Sequence, residues 1–340
     1  MSDNGRQRVT IELPPSSDYR LPQYEFLDLD APSSAEAFSS EFRARPRRKN
    51  LLLALGLFFL TVISTLAVGA QLAIAYANNE PAFAHDFNPL APLQHAWANP
   101  RILLLGIPFS FTLLGILLAH ELGHYFACRY YGIDASYPYF VPAPTLIGTM
   151  GAFIRIHSPI LNRRALFDVG IAGPAVGFAL AVPALIVGIL HSKVIPGAND
   201  NAVIVFGNPL VVKLVVLVFR PNVPLGWLLL NPVSRAAWVG FFATALNLLP
   251  AGQLDGGHIV YSVIPEKHSR VSIGVILALL PLGLLWSGWL MWAALLMLLG
   301  FRHPRLMNRW EPLDSRRRAW ALAALVMFAL CFTPMPFTTH

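Results

Sequence analysis

His120, Glu121 and His124 stand in the run His120-Glu121-Leu122-Gly123-His124, at the end of an apolar stretch that starts near Ile102. On a helix, residues four apart share a face, so both imidazoles can reach one metal ion while Glu121 lies beside them to handle a water proton. The chemistry implied is hydrolysis at a metal held where hydrocarbon is expected. A central charge in a membrane helix costs about 2.5 to 3.5 kcal/mol on insertion scales, so titratable groups crowded together there call for a shared purpose.

The elements that must position this motif are membrane helices. Of 340 residues, 55% are hydrophobic and only 13% charged, and several runs reach the roughly 20 apolar residues that a bilayer crossing requires. The fold class read from this is an all-α polytopic membrane protein of about six or seven transmembrane helices, with a short β or re-entrant segment near the motif. The net charge of +7 does not indicate nucleic acid, because the basic residues cluster beside apolar runs, where they act as topology signals. Two cysteines, Cys128 and Cys331, give neither a disulfide framework nor a CxxC metal clip. Cys128 continues the face of His120 and His124 but lies about 12 Å along the axis from His120, too far to share its metal, and reads as a packed thiol.

Residues 1–50, rich in Ser, Pro and mixed charge and ending in Arg43, Arg45, Arg47, Arg48 and Lys49, read as a flexible cytosolic tail. Residues 51–338 form the membrane domain, with the catalytic core at about 101–262. A first span over 51–77, with basic residues before it and a Lys/Arg-free loop from Asn78 to Pro100 after it, places the N-terminus in the cytosol. The second span returns inward and carries the motif toward the cytosolic leaflet. Between Gly132 and Phe167, Pro138, Pro142, Pro144 and Pro159 break helix, and the run GTMGAFIRI is strand-like. A third span covers 166–190 with Gly170, Gly173, Pro174 and Gly177, where small residues permit close helix contact. The run PLVVKLVVLVF is short for a span and reads as interfacial or re-entrant. The apolar stretch 271–301, flanked by basic residues on both sides, reads as a helical hairpin, and a last span covers 319–332. Acids in the tail argue against a transit peptide, so a bacterial inner membrane is the expected location.

A fourth span, 233–249, delivers Asn247, Pro250 and Asp255-Gly256-Gly257-His258 to the same side as the first motif. Hydrolytic zinc takes three protein ligands and leaves one position for water, and the two histidines supply two. Asp255, on a loop after a proline-broken helix end, is the natural third; a turn aspartate before two glycines is the alternative that the spacing leaves open. His157 and His258 could fall near the metal, whereas His85, His95, His191, His268 and His303 read as solvated or interfacial side chains.

HELGH on a membrane helix, AGPAVG at 172–177 and NLLPAGQLDGGH at 247–258, in that order, resemble the site-2 protease family of intramembrane zinc metalloproteases. The resemblance covers roughly 103–261 and extends more weakly to Arg302-His303-Pro304. It implies one Zn2+ held by His120, His124 and Asp255, Glu121 as catalytic base, and Asn247 either as an oxyanion or substrate-backbone donor or as a helix-packing amide. Many bacterial members carry a PDZ domain between the two ligand motifs. This chain has no soluble stretch of that size there and resembles the PDZ-free group of cyanobacteria, chloroplasts and some other bacteria.

The implied reaction is peptide hydrolysis within or beside the membrane segment of a single-span protein or transmembrane fragment, in contact with lipid and without nucleic acid. A helical substrate must unwind before water can attack it, and GTMGAFIRI could offer a strand edge to the unwound chain. The rival from another class is a polytopic transporter or scaffold with a non-proteolytic metal site, which calls for further ionisable groups along a path across the bilayer.

Overall fold

The computed structural model describes residues 48–82, 88, 90–198, 203–301, 303, 304, 306 and 312–339. Arg43, Arg45, Arg47, His85 and Arg302, with the tail up to residue 47, lie outside the described residues. The chain is built of helices α1 (Arg48–Ala77), α2 (Ala91–Ala98), α3 (Ile107–Tyr130), α4 (Arg163–Leu190), α5 (Leu210–Phe219), α6 (Pro232–Asn247), α7 (Asp255–Val263), α8 (His268–Leu282), α9 (Gly288–Leu299) and α10 (Ser315–Cys331). Among the described residues, three helices are long and apolar enough to cross a membrane, over Asn50–Ala77, Pro100–Tyr130 and Arg163–Leu190. The second begins as a 3-10 turn at Pro100–Gly106 and becomes α-helical at Ile107, with Pro108 in the first turn, where its missing N–H leaves no bond unmade.

Local chemistry sets the ends of the helices nearest the site. Asn162 caps α4 by accepting from the Ala165 N–H at 2.8 Å, and Asn231 caps α6 by accepting from the Val233 N–H at 2.7 Å. α3 packs chiefly on α4, and α6 on both, around a core that includes Phe109, Leu113, Leu185, Trp238 and Phe241. Outward faces stay apolar: Phe111 is 80% and Leu298 84% exposed, as befits side chains that meet lipid.

The stretch read as a hairpin is α8 and α9, packed on each other and joined at residues 283–287. At 15 and 12 residues they extend about 22 and 18 Å, each short of a bilayer core of about 30 Å. α5, within the run PLVVKLVVLVF, has 10 residues and reaches only about half that depth.

Among the described residues, three two-stranded antiparallel ribbons accompany the helices. β1 (Tyr139–Pro142) pairs with β2 (Thr149–Phe153), β3 (Lys193–Val194) with β5 (Leu228–Leu229), and β4 (Ile204–Phe206) with β6 (Phe337–Thr339). β2 falls within GTMGAFIRI. Its register is Tyr139 opposite Phe153 and Phe140 opposite Ala152, with an irregularity before Pro142, which cannot donate to a ladder. The ribbon is tied to α1 by Ser64 Oγ, which donates to the Gly148 carbonyl at 2.6 Å, and by Phe140 against Phe58.

Candidate metal centre

α3 carries His120, Glu121 and His124, all buried, on its C-terminal half. α7 begins at Asp255, so this residue opens a helix rather than sitting on a loop. The Asp-Gly-Gly run signals a turn, but the glycines serve close packing: a Cβ on Gly256 would lie 2.1 Å from the Leu248 carbonyl oxygen. Asp255 Oδ2 stands 3.4 Å from His120 Nε2 and 3.2 Å from His124 Nε2, and the two imidazole nitrogens are 3.1 Å apart.

Those three edges test whether a metal fits. Zinc bonds of about 2.0 to 2.2 Å in a tetrahedron set ligand atoms about 3.3 Å apart. The triangle observed has edges of that length, and its two nitrogens and one oxygen are a hydrolytic donor set that leaves a fourth position. His124 Nδ1 donates to the Val169 carbonyl at 2.8 Å. Because a carbonyl only accepts, the neutral ring carries its proton on Nδ1 and keeps the Nε2 lone pair for the centre. Among the described residues, this is the one group of three or more His, Cys, Asp or Glu side chains close enough to share an ion.

α4 makes room for the imidazoles. Gly173 and Gly177, four residues apart, lie against His124 and His120; an added Cβ would stand 2.1 Å from His124 Nε2 and 3.2 Å from the His120 ring. That is the local meaning of AGPAVG. Beside the triad, the backbone N–H of Ile154, directly after β2, faces the Glu121 carboxylate. Asn247, the last residue of α6, places its Nδ2 3.2 Å from His120 Nε2.

Several histidines depart from the sequence reading. His268 is 1% exposed, with Nε2 on the Gly252 carbonyl at 3.1 Å and Nδ1 buried without a partner. His303 is not a free flank: its Nε2 meets His258 Nδ1 at 2.9 Å, and its ring stacks on Tyr261 at 4.2 Å. These contacts join residues 16 to 45 apart in the chain, so no local pattern announces them. His157 stands with Asp134, 3.5 Å away, and not at the triad. Cys128 is fully buried against Ile133, Ala165 and Val169, a packed thiol.

The sequence model of Peptidase family M50 matches residues 108–286, more than half of the chain. The chain is 32% identical over 235 residues to "Probable zinc metalloprotease EGY1, chloroplastic" of Arabidopsis thaliana, covering 66% of this chain and 41% of that protein. It is 29% identical over 306 residues to the protein of the same description from Oryza sativa subsp. japonica, covering 84% and 50%. With "Probable zinc metalloprotease EGY2, chloroplastic" of Arabidopsis thaliana it shares 31% over 218 residues, covering 62% and 37%. The chain thus spans half or less of the length of these relatives. No solved structure matches.

Proposed function

The chain belongs to peptidase family M50, the site-2 proteases, and from that membership we propose that it is an intramembrane zinc metalloprotease. The observation that carries the reading is the His120, His124 and Asp255 triangle, built at the buried end of a helix apolar enough to cross a membrane. We assign these three residues as the holders of one Zn2+. The names of the relatives, each a probable zinc metalloprotease, support the same metal. Bound there, zinc supplies Lewis acidity toward a scissile carbonyl and lowers the pKa of water toward neutrality.

The chain's own groups do the remainder. Glu121, next to the first ligand, takes the proton from the attacking water and passes it to the leaving amine. The Val169 carbonyl holds His124 in the tautomer that offers Nε2. Asn247 offers an amide N–H within the same few ångströms, where negative charge develops on the carbonyl oxygen. Burial of Glu121 and both histidines keeps bulk water from competing with these contacts.

The substrates we infer are single-span membrane proteins or transmembrane fragments, unwound locally so that their backbone can be reached. β2 supports this, since it runs into Ile154 beside Glu121, and Met150 and Phe153 are 67% and 51% exposed. An unwound segment pairing with β2 would pass the base. Proline at Ala152 or Phe153 removes one amide from either edge of the strand, and turnover should fall with zinc content intact; unchanged turnover in both variants sinks this route.

We read the membrane domain as 51–338 with its catalytic core at 101–262, and the full set of crossings as six or seven, α8 and α9 forming a hairpin. The basic residues before α1 support a cytosolic N-terminus. The location we infer is a bacterial inner membrane; the relatives' chloroplastic descriptions make a plastid membrane the competing site, which fractionation of the source cells separates.

The deciding experiment is zinc content and cleavage of a single-span substrate by purified protein in detergent, with Glu121→Gln and Asp255→Asn alongside. Zinc retained with cleavage lost in Glu121→Gln, and zinc weakened in Asp255→Asn, is the expected result. Cleavage unaffected by Glu121→Gln overturns the assignment in favour of a transport or structural metal.

A further inference from the structure

α6 carries Asn247 at one end and Arg235 in its first turn at the other, twelve residues and about 18 Å away. Arg235 is 6% exposed. Its Nε donates to the Leu230 carbonyl at 3.2 Å, and its guanidinium carbon lies 5.3 Å from the centroid of the Phe206 ring. Among the described residues, neither terminal nitrogen meets an acceptor and no carboxylate pairs with the group. Those nitrogens are not sealed off, because Arg235 lines a cavity of about 110 Å3 together with Phe206, Asn208, Leu228 and Leu230.

A buried cation without a counter-charge is costly, and a single ring face offsets only about 2 kcal/mol of that cost. The free groups, Nη1 and Nη2, form the end-on fork that matches the two oxygens of a carboxylate. A phosphate would need donors for more oxygens and more charge, and besides the arginine the only polar side chain in the wall is the neutral Asn208 amide. The other side chains of the wall, among them Ile204, Leu228 and Leu230, are apolar and favour an apolar body behind the anion.

We propose that Arg235 and this cavity bind a carboxylate borne on the end of an apolar chain. A free aliphatic acid and an apolar peptide C-terminus are two sources of that one chemistry. A pocket of about 150 Å3 holds benzene, so this one takes the carboxylate and its first few carbons, with the remainder of the chain leaving through the mouth. The site lies apart from the metal triad and does not rest on the proteolytic reading.

The test is titration of the full chain in detergent with octanoate labelled with 13C at its carboxyl, followed by NMR, with methyl octanoate as control. In a second arm, acetyl-Leu-Leu with a free C-terminus competes against its C-terminal amide. Octanoate should saturate, the ester should not, and Arg235→Gln should weaken binding by at least about tenfold, the loss of one charge-assisted pair. Competition by the free peptide and not the amide identifies a peptide terminus as a source; no competition by either leaves the aliphatic acid as the source. Should Arg235→Gln fail to fold, Gly226→Val keeps the cation and narrows the cavity at a position where an added Cβ meets no atom within 4 Å, and it should weaken octanoate binding in a folded chain. Acid and ester binding alike, absence of saturation, or unchanged binding in either folded variant overturns the proposal.

Discussion

Gly173 lies so close to His124 that a Cβ built on it would stand 2.1 Å from the ring Nε2. The nitrogen we assign to zinc is therefore shaped by a residue of another helix that contributes no ligand atom. Gly173→Ala should drive the imidazole off its position and weaken zinc binding by at least about tenfold, within the range found when groups that orient a ligand are lost. Gly177→Ala, whose Cβ would meet His120 at 3.2 Å, should cost less because the neighbour need give only a few tenths of an ångström. Zinc affinity measured by competition with a chromophoric chelator ranks the two; equal affinity for Gly173→Ala and the native chain would mean that α4 does not set the ring.

Asn247 separates two roles that place it at the same spot. As a donor to developing negative charge, its replacement by Ala should lower kcat by about 100- to 1000-fold with little change in KM. As a packing amide that only steadies His120, its loss should lower zinc content along with activity. Zinc content and kcat determined on the same preparation of Asn247→Ala tell them apart: full zinc with a large fall in kcat supports the donor role.

Asp168 joins three elements, accepting from Tyr131 at the end of α3 and from Arg317 in the first turn of α10, where Nε meets Oδ1 at 2.8 Å. Arg317 also pairs with Asp314. Asp168 and Arg317 side chains are 29% and 22% exposed, so water screens part of the attraction, and Asp168→Asn should cost on the order of 1 kcal/mol, with the amide keeping one bond. Thermal unfolding in detergent with zinc present measures it. A variant as stable as the native chain would place the docking of α10 in its apolar contacts with Phe167, Ile171 and Leu248.

Much of this was readable in the residues because it follows from local rules. The HELGH helix, the strand inside GTMGAFIRI and the small residues of α4 rest on periodicity, turn chemistry and size. Asp255 reads as a loop residue, since Gly256 and Gly257 signal a turn, and only tertiary packing against Leu248 shows why glycines start a helix there. β1 was hidden by Pro138 and Pro142, which read as breakers until a partner strand tolerates them at an edge. The contact of His258 with His303 spans 45 residues and leaves no pattern in either segment.

That contact gives a dependence on pH. His303 Nδ1 faces the Pro304 carbonyl at 2.8 Å, so in the neutral pair His303 Nε2 accepts from His258 Nδ1–H. Burial, first among the causes, pushes His258 down to about 4 and also holds His303 below the usual histidine range, while Asp255 works in the opposite direction on His258. A histidine depressed in the folded state is protonated more readily in the unfolded chain, so its contribution is fully present above about 6.5 and is lost as pH falls from there toward 4. Each such group lowers stability by at most about 1.4 kcal/mol per pH unit across that window. Thermal unfolding of Asp255→Asn at pH 7.5 and 5, with and without His303→Gln, isolates this pair from metal release. The native His303 background should lose stability on acidification and the glutamine variant should lose less; equal losses would show that His303 takes up its proton equally in the folded and unfolded chain.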